Sequence, residues 1–470
     1  MKAWRLHGLG DHRLDEVPMP KAAGHDVLIR IKVIQPSVTD TSVMSGDVFT
    51  EATKWIPKWL AEGKPIQRGH EYCGEIVETG QNVTSVKVGD RVCSAGGKTY
   101  CGSCAMCLSG RHSECLSPLI MGREVPGAFA EYMCLPEWGV VRIPQGPTDN
   151  EVAALQPLSP CIASVRSAEI KIGDTVVVLG QGAVGLGILQ AARLAGAGLL
   201  VAVARRPENL ELAKKFGATD TINTTQTDVV EEVKRLTNGD GADVVFDAAG
   251  GSPKYGLSGF ETVRQALRMV RRGGKIIQSA LLPGAVELDT VLMQRYGIRY
   301  QFPLLSDNEC LKIAAIWVAS GRIQIGPQIT HVLHGLERLN EAIKITENKA
   351  KHHAVNPAQV VVLRLDGRVG PASPVPGGNH AGCGQHDEYE VPLAEGRDAV
   401  RQAPQLLTLR GRRGAALDAV AELAHADPGG GQQPETYENR AHRCNQADEH
   451  GHSPARAKQG AERVWPHDKH

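Results

Sequence analysis

One stretch limits the folds open to this chain more than any other: TVVVLGQGAVGLGILQAARLAGA, residues 175–197. A run of β-branched and apolar residues ends at Gly180. Glycines then recur as Gly180-x-Gly182-x-x-Gly185, and a helix-like apolar pattern begins at once. The first glycine permits a tight turn and the second lets the backbone approach a pyrophosphate. The third allows helix to pack on strand, and the helix N-terminus attracts the anion. Spacing alone is a weak signal, because any strand–helix turn can contain it. Its continuation strengthens it: LLVAVA (199–204) reads as a second strand and ENLELAKKFGA (208–218) as a helix. DVVFDAAG (243–250) and GGKIIQSALL (273–282) read as further strands. Buried parallel strands show continuous apolar runs because helices cover both faces, so residues 156–300 predict a doubly wound parallel sheet.

The chain before this segment has another texture. DVLIRIKVI (26–34), GEIVETG (74–80) and DRVCSAGG (90–97) are short, strand-like and separated by Gly- and Pro-rich stretches. Residues 1–155 therefore predict a compact β domain with long loops. HVLHGLERLNEAIKIT (331–346) and PAQVVVLRL (357–365) could return the chain to it over residues 301–365. With 470 residues the chain is too long for one ordinary core, and the fold class is α/β with at least two domains.

From about 366 the composition shifts again. Pro371 to His470 contains no Ile, Phe or Met, two Lys against many Arg, and eight of the seventeen His. Such a segment cannot bury enough apolar surface to offset ordering entropy, so 366–470 reads as a mostly disordered tail. AALDAVAELAHA (415–426) could form one amphipathic helix, and a His-rich metal-binding role is the sharper alternative.

Formal net charge is +0, which offers no field for nucleic acid or an acidic surface. The opening MKAWRLHGLGDHRLDEVP is mixed and charged, unlike a signal peptide, and no stretch approaches the roughly 20 apolar residues that span a bilayer. A soluble, cytoplasmic chain is expected, with its thiols reduced.

In that compartment the cluster CGSCAMCLSGRHSEC (101–115) points to metal. Cys101, Cys104, Cys107 and Cys115 are spaced so that four thiolates can converge on Zn²⁺ at about 2.3 Å. Iron–sulfur ligation uses similar spacing and stays open as an alternative. A zinc held by four thiolates has no open position, so it would brace a loop and catalyse nothing.

Coenzyme choice should be legible at the end of the second strand, where an NAD site usually places Asp or Glu against the ribose hydroxyls. Ala204, Arg205 and Arg206 stand there instead. Guanidinium groups without a carboxylate suit a 2′-phosphate, which favours NADP over NAD. The bland alternative is a solvated helix entry. Finally, His70 and Glu71 in QRGHEYCGEIVETG (67–80) sit just before a strand, where a loop can present an imidazole to a cleft.

Together GHEYCGEIVETG, the lobe DRVCSAGGKTYCGSCAMCLSGRHSEC, GDTVVVLGQGAVGLG and LELAKKFGA resemble the zinc-containing alcohol dehydrogenases of the medium-chain dehydrogenase/reductase superfamily. The resemblance runs over residues 1–364 and leaves the tail without a counterpart. It implies a GroES-like catalytic domain, a Rossmann domain inserted into it and an active site in the cleft between them. It also implies NAD(P)-dependent interconversion of a small-molecule alcohol and an aldehyde or ketone, in a homo-oligomer.

Such enzymes hold a second, catalytic zinc, and here the implied ligand set conflicts with the sequence. The first ligand is a Cys in a C-x-[ST]-D stretch, which in this chain is Ser37-Val38-Thr39-Asp40. The second matches His70, with Glu71 beside it. The third falls on Gln156, in Gln156-Pro157-Leu158-Ser159. A hydroxyl and a carboxamide hold Zn²⁺ far more weakly than thiolate and carboxylate; Cys161 and Asp40 are the candidate substitutes. Thr39 matches the family's proton-relay hydroxyl. A zinc-free reductase of activated C=C bonds or quinones on the same scaffold is the alternative activity. Trp55 and Trp59, four apart in the long insertion 49–67, could line a substrate pocket or pin the insertion to the core.

Overall fold

The computed structural model describes residues 1–46, 55–250, 260–282, 284–303 and 307–362. The expectations for the tail, including the helix at 415–426, lie outside these residues.

Strand Asp26–Gln35 is the hub of a seven-stranded sheet. Ile29, Ile31 and Val33 are buried while Arg30 and Lys32 between them stay half-exposed, the period-2 pattern of a strand covered on one face. It pairs antiparallel with Glu71–Thr79, with Tyr132–Pro136, and near its end with Gln359–Val361. Arg91–Cys93 and Val141–Arg142 extend the sheet on one side and Val332–His334 on the other. Tyr72, Phe129 and Met133 fill the core beneath it.

The register of this ladder positions everything that follows. Gln35 lies opposite Glu71, so the chain leaving one strand and the chain entering the other run side by side. The helix Val38–Met44 begins at once, with Ser37 as its N-cap.

The second sheet starts from the glycine-rich turn. Its elements are β1 (Thr175–Leu179), α1 (Ala183–Ala195), β2 (Leu199–Ala204), α2 (Pro207–Lys215) and β3 (Asp220–Asn223). They continue as α3 (Val229–Leu236), β4 (Ala242–Asp247), α4 (Glu261–Met269), β5 (Val270–Gln278), α5 (Thr290–Tyr296) and β6 (Arg299–Gln301). All strand pairs are parallel and the order is β3-β2-β1-β4-β5-β6. The order reverses between β1 and β4, where open α/β sheets bind ligands beyond the carboxyl ends of their strands. Val176, Val177 and Val178 are fully buried, as the continuous apolar run requires. The short outer strands β3 and β6 carry DTIN and RYQ, sequences too polar to announce themselves.

One apolar cluster joins the two sheets. Val33, Cys73 and Val141 of the first share it with Val176 of the second and with Leu186 and Ile188 of α1, the helix that follows. The helix Leu158–Ala168 lies between them. It approaches α1 so closely that a Cβ on Gly187 would fall 2.7 Å from Leu158 and from the Cys161 sulfur.

Trp55 is the N-cap of the short helix Ile56–Ala61 and Trp59 lies within it, their rings edge-on at 6.0 Å. Both pack on Leu6, Val43, Ile56 and Ile66, so of the two readings the structure shows the pinning one. Residues 47–54 of that insertion are outside the described set. No described helix is long and apolar enough to cross a membrane.

Candidate active site and metal lobe

The four cysteines converge. Neighbouring sulfurs lie 3.4 Å (Cys104–Cys107), 3.5 Å (Cys115–Cys101) and 3.9 Å (Cys101–Cys107 and Cys104–Cys115) apart. A tetrahedron with arms of about 2.3 Å has edges of about 3.8 Å, so these sulfurs already stand at the corners a zinc ion needs. The turns around them are tight: Gly102 and Gly110 have φ of 78° and 77°. Trp138 backs the loop, its indole N–H donating to the Tyr100 carbonyl at 2.7 Å. The residues fit a structural zinc.

The glycine turn fits a dinucleotide just as directly. Gly180 has φ 87°, and a Cβ there would lie 2.8 Å from Ala249. A Cβ on Gly185 would lie 1.7 Å from the Gly180 carbonyl oxygen, so helix and strand meet only because that atom is missing. At Gly182 a Cβ would meet nothing within 4 Å. That open space, facing the first turn of α1 where no side chain caps the helix, is what a pyrophosphate would occupy. Asp247, buried at the end of β4, steadies the facing turn by accepting from the Ala249 N–H (3.1 Å) and the Thr262 hydroxyl (2.8 Å).

At the end of β2, Ala204 is buried and Arg205 exposed. Arg206 is half-buried, and its guanidinium donates to the Ala354 carbonyl at 3.0 Å. The two arginines therefore differ in character: Arg206 ties the sheet end to the segment that follows the helix Leu339–Glu347. That segment also supplies Lys349, half-buried, whose pKa is pushed down to about 8 by burial and by Arg206, with Glu71 opposing. Nothing in the sequence marked Lys349.

The third cluster follows from the ladder register. His70 Nδ1 lies 3.3 Å from Asp40 Oδ2. Arg68 is buried and grips the other oxygen, Oδ1, through Nε at 3.0 Å and Nη2 at 2.7 Å. Ser37 donates its hydroxyl to Asp40 Oδ2 (2.8 Å) and accepts from the Asp40 N–H (3.0 Å). Burial alone would raise the Asp40 pKa, but Arg68 and His70 hold it well below the usual carboxylate range. Burial alone would lower that of His70, but Asp40 outweighs it and the net shift is upward. Arg68 escaped sequence reasoning, although a lone Arg between Ile66 and Gly69 was its visible trace.

Glu71, next to this cluster, makes its hydrogen bond elsewhere. Its carboxylate accepts from Gln35 Nε2 at 2.5 Å, Gln35 accepts from Gln359 (2.9 Å), and Gln359 accepts from Asn150 (2.7 Å). Burial pushes the Glu71 pKa up to about 7. Thr39 sits half-exposed in the first turn of the helix Val38–Met44, and its hydroxyl has no partner among the described residues. Gln156 donates to the Ala95 carbonyl at 3.1 Å. It borders the same space as His70: a Cβ on Gly97 would lie 3.5 Å from the His70 ring, and one on Gly96 would lie 3.7 Å from Gln156 Nε2.

These donors do not fit a second zinc. Ser37 and Asp40 are engaged with each other, Glu71 with Gln35, and Gln156 with a backbone carbonyl. Cys161, the other candidate substitute, points its buried thiol at the Pro157 and Val184 carbonyls, 3.0 and 3.2 Å away. Among the described residues only the four lobe cysteines bring three or more His, Cys, Asp or Glu donor atoms within reach of one ion.

Comparison with known proteins agrees with this architecture. Residues 23–145 match the alcohol dehydrogenase GroES-like domain and residues 183–301 the zinc-binding dehydrogenase family. An L-threonine 3-dehydrogenase of Bacillus licheniformis is 32% identical over 67% of this chain and 86% of its own length. A sorbitol dehydrogenase of Bacillus subtilis is 33% identical over 66% of this chain and 80% of its own. Among solved structures, a zinc-binding dehydrogenase of Sinorhizobium meliloti 1021 bound to NADP superposes with a TM-score of 0.66 at 29% identity, covering 77% of this chain and 98% of that one. The alcohol dehydrogenase of Thermus sp. ATN1 gives 0.64 at 25% identity, covering 77% and 100%. With the turn, the lobe and both sheets in place, the chain belongs to the zinc-type alcohol dehydrogenases of the medium-chain dehydrogenase/reductase superfamily, a family of NAD(P)-dependent oxidoreductases.

Proposed function

We propose that the chain interconverts an alcohol and an aldehyde or ketone by hydride transfer to and from NAD(P). The observation that carries this is the open space over Gly182, tied to the polar cluster of His70 and Thr39 by one rigid connection. Gln156 borders His70, the helix Leu158–Ala168 follows directly, and that helix packs on α1 at Gly187.

When bound, the nicotinamide supplies the hydride acceptor. The chain's residues supply the rest. Uncapped N–H groups at the start of α1 hold the pyrophosphate, and Arg205 with Arg206 receives a 2′-phosphate. Thr39, whose hydroxyl is uncommitted, is the relay through which a proton released in the cleft passes towards the ribose and solvent. The relatives named for L-threonine and sorbitol suggest a small, polar alcohol as substrate.

A panel of β-hydroxy amino acids, polyols and simple secondary alcohols with NADP⁺ and NAD⁺, followed at the absorbance of the reduced coenzyme, tests this. Turnover of any member supports it, and silence across the panel refutes it. Arg205→Ala and Arg206→Ala should weaken NADP binding much more than NAD; equal losses would remove the phosphate assignment. The alternative, NADPH-dependent reduction of an activated C=C bond or a quinone, is favoured by the engaged state of Ser37 and Gln156. It would appear as enone or quinone turnover without alcohol oxidation.

A further inference from the structure

Of the two positions where this chain departs from the ligands of zinc-type relatives, Gln156 is bonded to the Ala95 carbonyl, and Ser37 is built into a closed hydrogen-bonded unit with Asp40, Arg68 and His70. Asp40 is wholly buried, and both of its oxygens are already engaged. Oδ1 takes both guanidinium bonds of Arg68, and Oδ2 takes the Ser37 hydroxyl and His70 Nδ1. Turning Asp40 towards a metal would strip the buried Arg68 of its counter-charge, a large cost in a dry setting, and turning Ser37 would take a hydrogen bond from the same buried carboxylate. What the unit leaves available is His70 Nε2, which has no hydrogen-bond partner among the described residues.

We propose that the cleft works without a metal ion, and that His70, oriented by Asp40, takes the hydroxyl proton through Nε2 while zinc is confined to the four-cysteine lobe. The step balances. The O–H bond of the alcohol breaks and its proton passes to Nε2. The carbinol C–H bond breaks with its electron pair, which goes as hydride to the nicotinamide ring, and the C=O bond forms. In the reverse direction His70 returns the proton to the carbonyl oxygen. Asp40, Arg68 and Ser37 are positioning residues, because they touch the imidazole or each other and not the substrate. The inference rests on the dehydrogenase reading for its proton step, but its metal statement stands apart from that reading.

Zinc content separates the two. Three full-length proteins would be compared after dialysis against a common chelator: wild type, His70→Asn, and Ser37→Cys/Gln156→Glu. Comparing them as differences cancels whatever histidines elsewhere in the chain retain. Wild type and His70→Asn should carry the same zinc, and the double variant one ion more per chain. A His70→Asn protein holding one ion fewer than wild type would overturn the proposal, as would a double variant that gains none. His70→Asn should also lose at least about 100-fold in kcat, the usual scale for removing a general acid–base, with NADP⁺ affinity and zinc unchanged as proof of folding. A loss below about fivefold would overturn the role of His70. A wild type that oxidises no alcohol, with the zinc counts as expected, would refute the dehydrogenase reading and the proton step while leaving the metal statement intact.

Discussion

Glu71→Gln makes the protein more stable, and does so only where Glu71 would be ionised. In the folded chain this carboxyl is buried and its pKa stands near 7, against 4.5 for an ordinary glutamate. A raised carboxyl pKa means that the folded state holds the proton more tightly than the unfolded state. Stability therefore falls as pH rises from about 4.5 to about 7 and is flat above that. A gap of roughly 2.5 units corresponds to about 3 kcal/mol at full ionisation. At pH 5 the unfolded chain has lost most of its proton and the folded chain almost none, which costs a little under 1 kcal/mol. Gln keeps the oxygen that Gln35 bonds at 2.5 Å but carries no charge. The variant should therefore gain about 2–3 kcal/mol over wild type between pH 5 and pH 8. Urea denaturation of both proteins at the two pH values measures it; groups that do not feel Glu71 cancel in the difference, while His70, Asp40 and Lys349, which do, shift with its charge. Equal differences at both pH values would show that Glu71 is not a buried, uncompensated carboxyl, and the polar chain through Gln35, Gln359 and Asn150 would need another account.

Gly182→Ala and Gly185→Ala should separate folding from binding. The first adds a methyl where nothing lies within 4 Å, so thermal stability should hold within about 0.5 kcal/mol while coenzyme affinity drops by tenfold or more. The second drives a methyl to within 1.7 Å of the Gly180 carbonyl, and should cost about 1–3 kcal/mol of stability as well as affinity. Coenzyme titration and thermal scans on both would refute the turn geometry if the two behaved alike. Asp40→Asn leaves Arg68 a buried, poorly compensated cation, and a loss of about 3–5 kcal/mol is expected by urea denaturation. A loss under 1 kcal/mol would show that the pair is solvated. Cys115→Ser should release one zinc per chain and lower the unfolding midpoint without changing NADP⁺ affinity at 25 °C; unchanged zinc would refute the four-sulfur site.

The parts of this site that could be read from sequence are the ones written locally. Four cysteines in fifteen residues have no room to be far apart, and a glycine turn between an apolar run and a helix is complete in twelve. The apolar strands of the second sheet were legible for the same reason, whereas β3 and β6 join its edge through a neighbour's backbone and show no pattern of their own. What escaped was everything that depends on register. Arg68 reaches Asp40, 28 positions away, only because Gln35 lies opposite Glu71 in the first sheet. Gln359 reaches Gln35 across 324 positions because the strand Gln359–Val361 returns to pair with Asp26–Gln35.

That register also decides the chemistry. From the sequence, Ser37 and Gln156 look like weakened metal ligands, two poor donors in an otherwise ordinary set. In the fold they are not idle replacements. Ser37 caps a helix and braces Asp40, and Gln156 braces the loop at Ala95 that runs past His70. Thiolate at position 37 could not donate a hydrogen bond to Asp40, and carboxylate at 156 could not donate one to a carbonyl oxygen. Each substitution thus supplies a proton donor where the ligand it replaces offered only an acceptor, and each donated bond tightens the surroundings of one imidazole. Ser37 acts through Asp40, which bonds the ring, and Gln156 through the loop at Ala95 beside it, and on these observations the proposal of a metal-free cleft rests.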